Sequence, residues 1–395
     1  MNMDHQQHKI RVLLLDAHSV QAYSVSKSLK EAGIFVTVFC EKKLSFGYSS
    51  RYPDRKIICP NLKNDTSKYI DFLYSFLTKF PQDVIIPLFN DSAELVSKHK
   101  DEIERTGVKI AAPEWEMFIL AHNKELLMDI CKENDLPHPR TASLSKTTLN
   151  DAVEYVGFPS LIKPNISAGA LGIKYVNNLK ELKEKFEQTI KTFGESTLQE
   201  YINHSDSYYN VMIFRYKNGE FSPSTIIKIL RYFPIKGGSS SYSVVIENAE
   251  LISICQKTLN CLNWHGFADF DFIQDKNTKE FKIIEINPRI PSCIHAAYVS
   301  GINFPEIILC DCLDKAIPVS NYITGRKLRY FSLDILWFIF SKNRLRSNPS
   351  WFNFFENNLH YQDGSFSDPI PIFAGILMGM LKYMNLAYLR EKLNV

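Results

Sequence analysis

The stretch Gly266-Phe-Ala-Asp-Phe-Asp-Phe-Ile273, joined by the polar turn Asp275-Lys-Asn-Thr-Lys-Glu280 to Ile283-Ile-Glu-Ile-Asn-Pro-Arg289, reads as two antiparallel strands. Side chains along a strand alternate faces with a period of two, so Glu285 and Asn287 share one face, and Ile284 and Ile286 are expected to enter a core. Arg289 falls on the polar side with them. Asp271 on the neighbouring strand completes a set of acid and amide oxygens. Magnesium is usually held by one or two carboxylates together with substrate phosphates, in near-octahedral oxygen geometry. Asp271, Glu285 and Asn287 have the chemistry of such a magnesium-nucleotide site. A surface hairpin with a solvated acidic face would carry the same residues, so the rest of the chain has to decide.

Upstream, Asn123-Lys124 opens a helical stretch that runs to Leu136-Pro-His-Pro139. Asn123 is a favourable N-cap. The positive helix end disfavours a cation at Lys124, which makes a ligand anion an attractive partner for it. Lys163 ends the apolar run Leu161-Ile-Lys163 before a proline, so its ammonium projects from a strand end, where a point charge can meet phosphates. The loop Asn165-Ile-Ser-Ala-Gly169-Ala-Leu-Gly172 has glycines that let backbone amides approach phosphate oxygens, although an ordinary hairpin turn would have them too. Then comes Leu198-Gln-Glu200-Tyr-Ile202. Finally, Lys228-Ile-Leu-Arg231-Tyr-Phe-Pro-Ile-Lys236-Gly237-Gly238 puts cations beside a glycine loop, a combination suited to a carboxylate or phosphate; solvation of a hairpin is the other reading.

Taken in this order, the motifs resemble those of the ATP-grasp superfamily, whose nucleotide site ends in a strand with a metal-binding acid followed by Glu-x-Asn-x-Arg. Each motif alone is weak, and several in one order are specific. The resemblance covers roughly Lys9 to Cys312 and includes carboxylate-amine ligases and the carbamoyl-phosphate synthase large subunit. It implies that Lys124 and Lys163 hold ATP phosphates. It further implies that Gln199, Glu200 and Ile202 surround adenine, that Asp206 meets the ribose, and that Asp271, Glu285 and Asn287 bind Mg2+, with Mn2+ as an alternative ion. Arg289 would be the catalytic residue, stabilising charge on the transferring phosphoryl group. Arg231, Lys236, Gly237 and Gly238 would bind the second substrate. The chain departs from the family pattern at His204, where a glycine is common, and at Asp206, where a glutamate is commoner. The implied activity is ATP-dependent ligation of a small-molecule carboxylate to an amine, or to a thiol, through an acyl phosphate. Other readings are a bicarbonate-activating carboxylase or carbamoyl-phosphate-type enzyme, and a nucleotide-binding regulatory module without catalysis.

Composition sets outer bounds. The 395 residues, 45% hydrophobic and 23% charged, are ordinary globular material. A net charge of +3 with scattered lysines implies neither nucleic acid nor an anionic bilayer as a partner of the whole surface. The eight cysteines show no CxxC pair and read as reduced thiols. Met1 to Lys9 is polar, so the expected location is cytoplasmic.

The expected architecture is mixed α/β and α+β: an open α/β domain over residues 1–112, a two-subdomain ATP-grasp unit over 113–312 dividing near 200, and an extension over 313–395. In the first unit, strands Ile10 to Leu15, Ile34 to Phe39 and Asp83 to Pro87 alternate with helices Val20 to Ala32 and Ser67 to Phe80, as in a doubly wound sheet. The first turn, Asp16-Ala-His-Ser, has no dinucleotide fingerprint. Asn90 and Asp91, past a strand end, are the residues to watch there, as substrate contacts or loop caps. In the extension, Ile372 to Leu381 is too short for the roughly 20 residues that cross a bilayer. It reads first as a core or dimer helix. The alternative is an interfacial membrane contact through Phe373, Ile376, Leu377, Met380 and Leu381, with Lys382 and Arg390 nearby.

Overall fold

The computed structural model describes residues 9–167, 169, 171–204, 208–235 and 238–384. They form three sheets. The first is parallel, ordered β3-β2-β1-β4-β5, from β1 (Arg11–Leu15), β2 (Phe35–Cys40), β3 (Arg55–Ile58), β4 (Val84–Pro87) and β5 (Lys109–Ile110). Val12, Leu13, Leu14 and Leu15 are all fully buried, as strands covered by helices on both faces require. The helix Gln21–Glu31 follows β1, and the chain leaves it through Gly33 at a φ of 80°, a left-handed conformation that glycine adopts without strain.

The second sheet has order β6-β9-β7-β8, from β6 (Thr141–Ser143), β7 (Ser160–Pro164), β8 (Lys174–Val176) and β9 (Ser196–Glu200), all antiparallel. Helices Leu149–Val156 and Leu179–Phe193 cover it through Ala152, Val156 and Leu182, which pack on Ile162, Val176 and Leu198.

The third sheet has order β14-β13-β10-β11-β12-β15-β16. Its strands are β10 (Tyr208–Arg215), β11 (Thr225–Phe233), β12 (Ser239–Ile246), β13 (Gly266–Gln274), β14 (Phe281–Asn287), β15 (Lys327–Arg329) and β16 (Leu359–Tyr361). The period-two rule sorts its side chains cleanly. Val211 and Ile213 join a core with helices Lys124–Glu133 and Ala249–Cys261, whereas Met212 and Phe214 join one that is continuous with the first sheet. The hairpin turn is an Asx turn, with Asn277 and Thr278 amides donating to Asp275.

The expected helix after Asn123 is present but ends at Glu133, because Asp135 takes a positive φ of 51° and Pro137 follows. Asn123 caps it by accepting from the Glu125 and Leu126 amides. Residues 327–384 are not a separate appendage. β15 pairs with β12, and β16 with β15, so the tail widens the third sheet. The tail helix Ile370–Tyr383 also packs on the short helix Phe46–Ser49 of the first unit. At Gly375 a Cβ would lie 2.6 Å from the Phe46 ring and 2.7 Å from Ser332 Oγ, so only glycine permits this approach. Asp368 adds a polar tie by accepting from Ser50 Oγ at 2.7 Å and the Arg51 amide at 3.0 Å. No helix among the described residues is long and apolar enough to cross a membrane.

Candidate active site

Between the second and third sheets lies a cleft of about 330 Å³, closed on a third side by Gln21 and Phe89 of the first unit. Lys124, Lys163, Gln199, Glu200, Ile202, Gly238, Asp271, Glu285, Asn287 and Arg289 all line it. These positions span 166 residues of chain, from Lys124 to Arg289, and only tertiary packing brings them together.

The floor is set by strand register. Asp271 stands opposite Glu285, and Asp269 opposite Asn287, with a bulge beyond Asp271. That bulge corrects one expectation: Ile284 does not enter the core but lines the cleft, while Ile283 and Ile286 are buried. An extra residue in one strand breaks the alternation locally and re-aims side chains. Asp269 was missed by sequence reasoning, although it shares a face with Asp271 by the same period-two rule. Asn210 on β10 was missed as well. It donates to Asp269 at 2.6 Å and to Asp271 at 3.1 Å.

Three carboxylates therefore face three cations. Lys124 Nζ is 3.6 Å from Glu285, and Arg289 is 3.8 Å from Asp269. Burial pushes the Asp269 carboxyl up to about 7 against the pull of Arg289. Burial, then repulsion from Asp269 and Glu285, drives Asp271 well above the carboxylate range. Burial would also raise Glu285, but Lys124, a hydrogen bond with Asp271, Lys163 and Arg289 together hold it below its ordinary value. Lys163 is lowered to about 8, by burial first and Lys124 second. An acid forced toward its neutral form beside a second acid is an electrostatic deficit that a divalent cation relieves. The oxygen-only donors of Asp271 and Glu285 suit magnesium, and as two carboxylates they leave positions for phosphate oxygens. Asn287 is turned the other way: its Nδ2 faces Asp269, Asp271 and Glu285 at 3.3–3.5 Å, and its Oδ1 accepts from Arg289 at 3.0 Å. Turning the amide over would present oxygen to a metal.

The glycine loop lies over Lys124. The ammonium donates to the Ser167 carbonyl at 2.8 Å, and the Lys124 amide donates to Asn165. A Cβ on Gly172 would lie 2.8 Å from Pro164 and 2.9 Å from Phe193, and its φ is 78°, so the loop requires glycine there. Glu200 reaches the cleft while its carboxylate pairs with Arg140 at 3.3 Å, and Gln199 donates to Thr141 at 3.0 Å. His204 lines the same end. Asn90 begins the helix Asn90–Lys98 and accepts from Arg289 Nε at 2.7 Å, so the first unit orients this guanidinium; Asp91 instead pairs with Lys63.

Arg231 is a correction. Its guanidinium points away from the cleft and is buried on Asp334, at 3.0 and 2.9 Å, against the Tyr242 and Trp337 rings. Each of its three nitrogens already donates, two to Asp334 and one to the Pro349 carbonyl. Asp206, Lys236 and Gly237 lie outside the described residues, as does Arg390.

With this geometry in view, the likeness to known proteins is informative. The sequence family described as "ATP-grasp in the biosynthetic pathway with Ter operon" matches residues 225–330. D-aspartate ligase of Enterococcus faecium is 24% identical over 55% of this chain and 56% of its own length. D-alanine–D-alanine ligase of Thermosipho africanus is 23% identical over 66% of this chain and 75% of its own. In sequence and in fold the chain is similar to the ATP-grasp superfamily. It spans a little over half the length of that D-aspartate ligase. Among solved structures, the ATP-grasp fold is shared with a biotin carboxylase from Campylobacter jejuni in complex with an ATP analogue, at a TM-score of 0.66 and 18% identity over 80% of this chain and 74% of that one.

Proposed function

We propose that the chain is an ATP-dependent carboxylate-amine ligase that works through an acyl phosphate. The observation carrying this reading is the meeting of three cations, Lys124, Lys163 and Arg289, with the acids Asp269, Asp271 and Glu285 in one cleft between two sheets. Likeness to two amino-acid ligases supports an amine as the acceptor.

In this reading a carboxylate oxygen of the acid attacks the γ-phosphorus, and the bond to the bridging oxygen breaks to release ADP. The amine nitrogen then attacks the acyl carbon and expels phosphate, which with solvent takes up the amine proton. Lys124 and Lys163 neutralise phosphate charge, and the loop through Gly172 supplies backbone donors. Arg289, held by Asn90 and Asn287, faces the developing negative charge on the acyl phosphate and tetrahedral adduct. Asp271 and Glu285, with Asn287 once its amide is turned over, would hold magnesium, which would supply positive charge to neutralise the phosphates. No covalent enzyme nucleophile is needed.

The test is magnesium-dependent ADP release with pooled amino acids and sugar acids, using hydroxylamine as the surrogate amine. Acid-dependent ADP release with hydroxamate formation is expected. ADP release dependent on bicarbonate alone would favour a carboxylase, and no ADP with any acid would favour a binding module.

Lys163 gives a pH dependence. Bound phosphate supplies an anionic partner and raises the ammonium pKa above its unliganded value of about 8, so binding takes up a proton at higher pH. Affinity for ATP is therefore greatest below the unliganded pKa and is expected to weaken about tenfold from about pH 7 to about pH 9, as read by calorimetric titration. Lys163→Arg, charged throughout this range, should flatten the profile. A wild-type affinity constant across that window would remove Lys163 from the phosphate site.

A further inference from the structure

We propose that the outer face formed by helices Phe331–Phe340 and Ile370–Tyr383 is a docking surface for an anionic phospholipid bilayer, on which the protein lies without spanning it. The second helix buries Pro371, Ala374 and Gly375 and turns Ile370, Phe373, Leu377, Met380 and Leu381 outward, with Met384 just beyond it; these six are 47–75% exposed. Spacings of three and four place them on one side of the helix. A helix on the surface of a water-soluble protein normally carries polar residues on its outer face. From Ile370 to Leu381 the sequence has no polar side chain at all.

The surroundings are basic. Gly375 abuts Ser332, and Gly379 abuts Leu336, so contacts advance four residues on both helices and the two run parallel. Their C-terminal ends therefore share one edge of the molecule. The chain leaving Phe340 there carries exposed Lys342, Arg344 and Arg346 around Leu345, which is 73% exposed, and the other helix ends with exposed Lys382. Between Ile335 and Phe355, and again between Pro369 and Met384, the sequence contains no acidic residue.

An apolar strip edged by cations and free of acids is complementary to acyl chains beneath anionic headgroups. A second copy of the chain fits it less well. A twofold contact would bring these cations against their own counterparts with no acid between them, and interface centres are depleted in lysine. At 1.5 Å per residue the 14-residue helix is roughly 21 Å long, short of the roughly 30 Å hydrocarbon layer, so it lies in the interfacial plane.

The test is flotation of the full chain with phosphatidylcholine vesicles and with vesicles containing about 30% phosphatidylglycerol, at low and high salt. Flotation with the anionic vesicles alone, lost at high salt, is expected. Neutralising Lys342, Arg344 and Arg346 together to glutamine should lower partitioning about a hundredfold. Leu377→Glu should abolish partitioning, with circular dichroism and melting unchanged in both variants because the positions are exposed. Absence of flotation, or flotation unaffected by either variant, would overturn the proposal. So would a dimer in light scattering that Leu377→Glu dissociates without any flotation, which would assign the face to a second copy.

Discussion

Glu285→Ala is expected to lower acid-dependent ADP release by about a hundred- to a thousandfold while leaving the fold and melting temperature nearly unchanged. The loss follows from position. Glu285 is the acid that its surroundings hold ionised, with Lys124 at 3.6 Å, and it stands opposite Asp271 in the register, where the two carboxylates can share a cation. Removing it takes away one of two carboxylate ligands from the proposed magnesium site and the charge that balances Lys124. The fold survives because the side chain borders open cleft and is 27% exposed, and because its removal relieves repulsion on Asp271. Lys124 keeps its bond to the Ser167 carbonyl. The measurement is coupled-enzyme ADP release beside circular dichroism and thermal melting of the same sample. Turnover within tenfold of wild type would sink the ligand assignment, and a melting temperature that collapses would mean that Glu285 is structural instead.

Much of this cleft was legible in the sequence because its floor rests on local rules. Asp271, Glu285, Asn287 and Arg289 occupy one hairpin, where period-two alternation and an Asx turn are enough to set a shared face. Lys124 and Lys163 sit at element ends marked by an N-cap and a proline, so their emergence at a surface could be read from neighbours. Asp269 was available to the same reasoning and was overlooked. Asn210 was not available: its place beside Asp269 and Asp271 depends on the pairing of β10 with β13, a register between segments some 60 residues apart. Ile284 failed for a third reason, since a bulge is a local break in the very alternation used to orient it. Arg231 failed most instructively. A cation near a glycine loop suits an anionic ligand, but the anion it meets is Asp334, 103 residues further on, and no local pattern reveals a partner at that distance. The parallel sheet of the first unit was readable from its continuous apolar strands, whereas the joining of β15 and β16 to the third sheet was not, because strands of three residues carry almost no periodic signal.

Asp334→Ala is expected to cost about 5 kcal/mol of stability, and to lower the melting temperature by roughly 5 °C for a chain of this size. The side chain is fully buried and accepts from Arg231 at 3.0 and 2.9 Å, Arg329 at 2.8 Å and Ser241 at 3.0 Å. Two guanidiniums on one carboxylate leave a buried excess of positive charge. It is spread over the Pro349, Trp351 and Asn353 carbonyls and the faces of Tyr242, Trp337, Trp351 and Phe354. Truncating the carboxylate strands both cations in a low-dielectric core, the circumstance in which breaking a buried pair costs most. Asp334→Asn keeps the shape and part of the hydrogen bonding, so its loss should be smaller. The damage should also be directional. Arg231 lies on β11, Ser241 on β12, Arg329 on β15 and Asp334 on the helix Phe331–Phe340, so this one group pins the tail to the third sheet. Limited proteolysis of Asp334→Ala should therefore cut first within residues 339–359, ahead of the parallel sheet. Because Ser239 and Ser240 of β12 border the cleft, ADP release should fall only to the extent that this edge loosens. A variant as stable as wild type would mean that the two arginines find sufficient partners in the carbonyls and rings alone, and that the carboxylate is not what holds the tail in place.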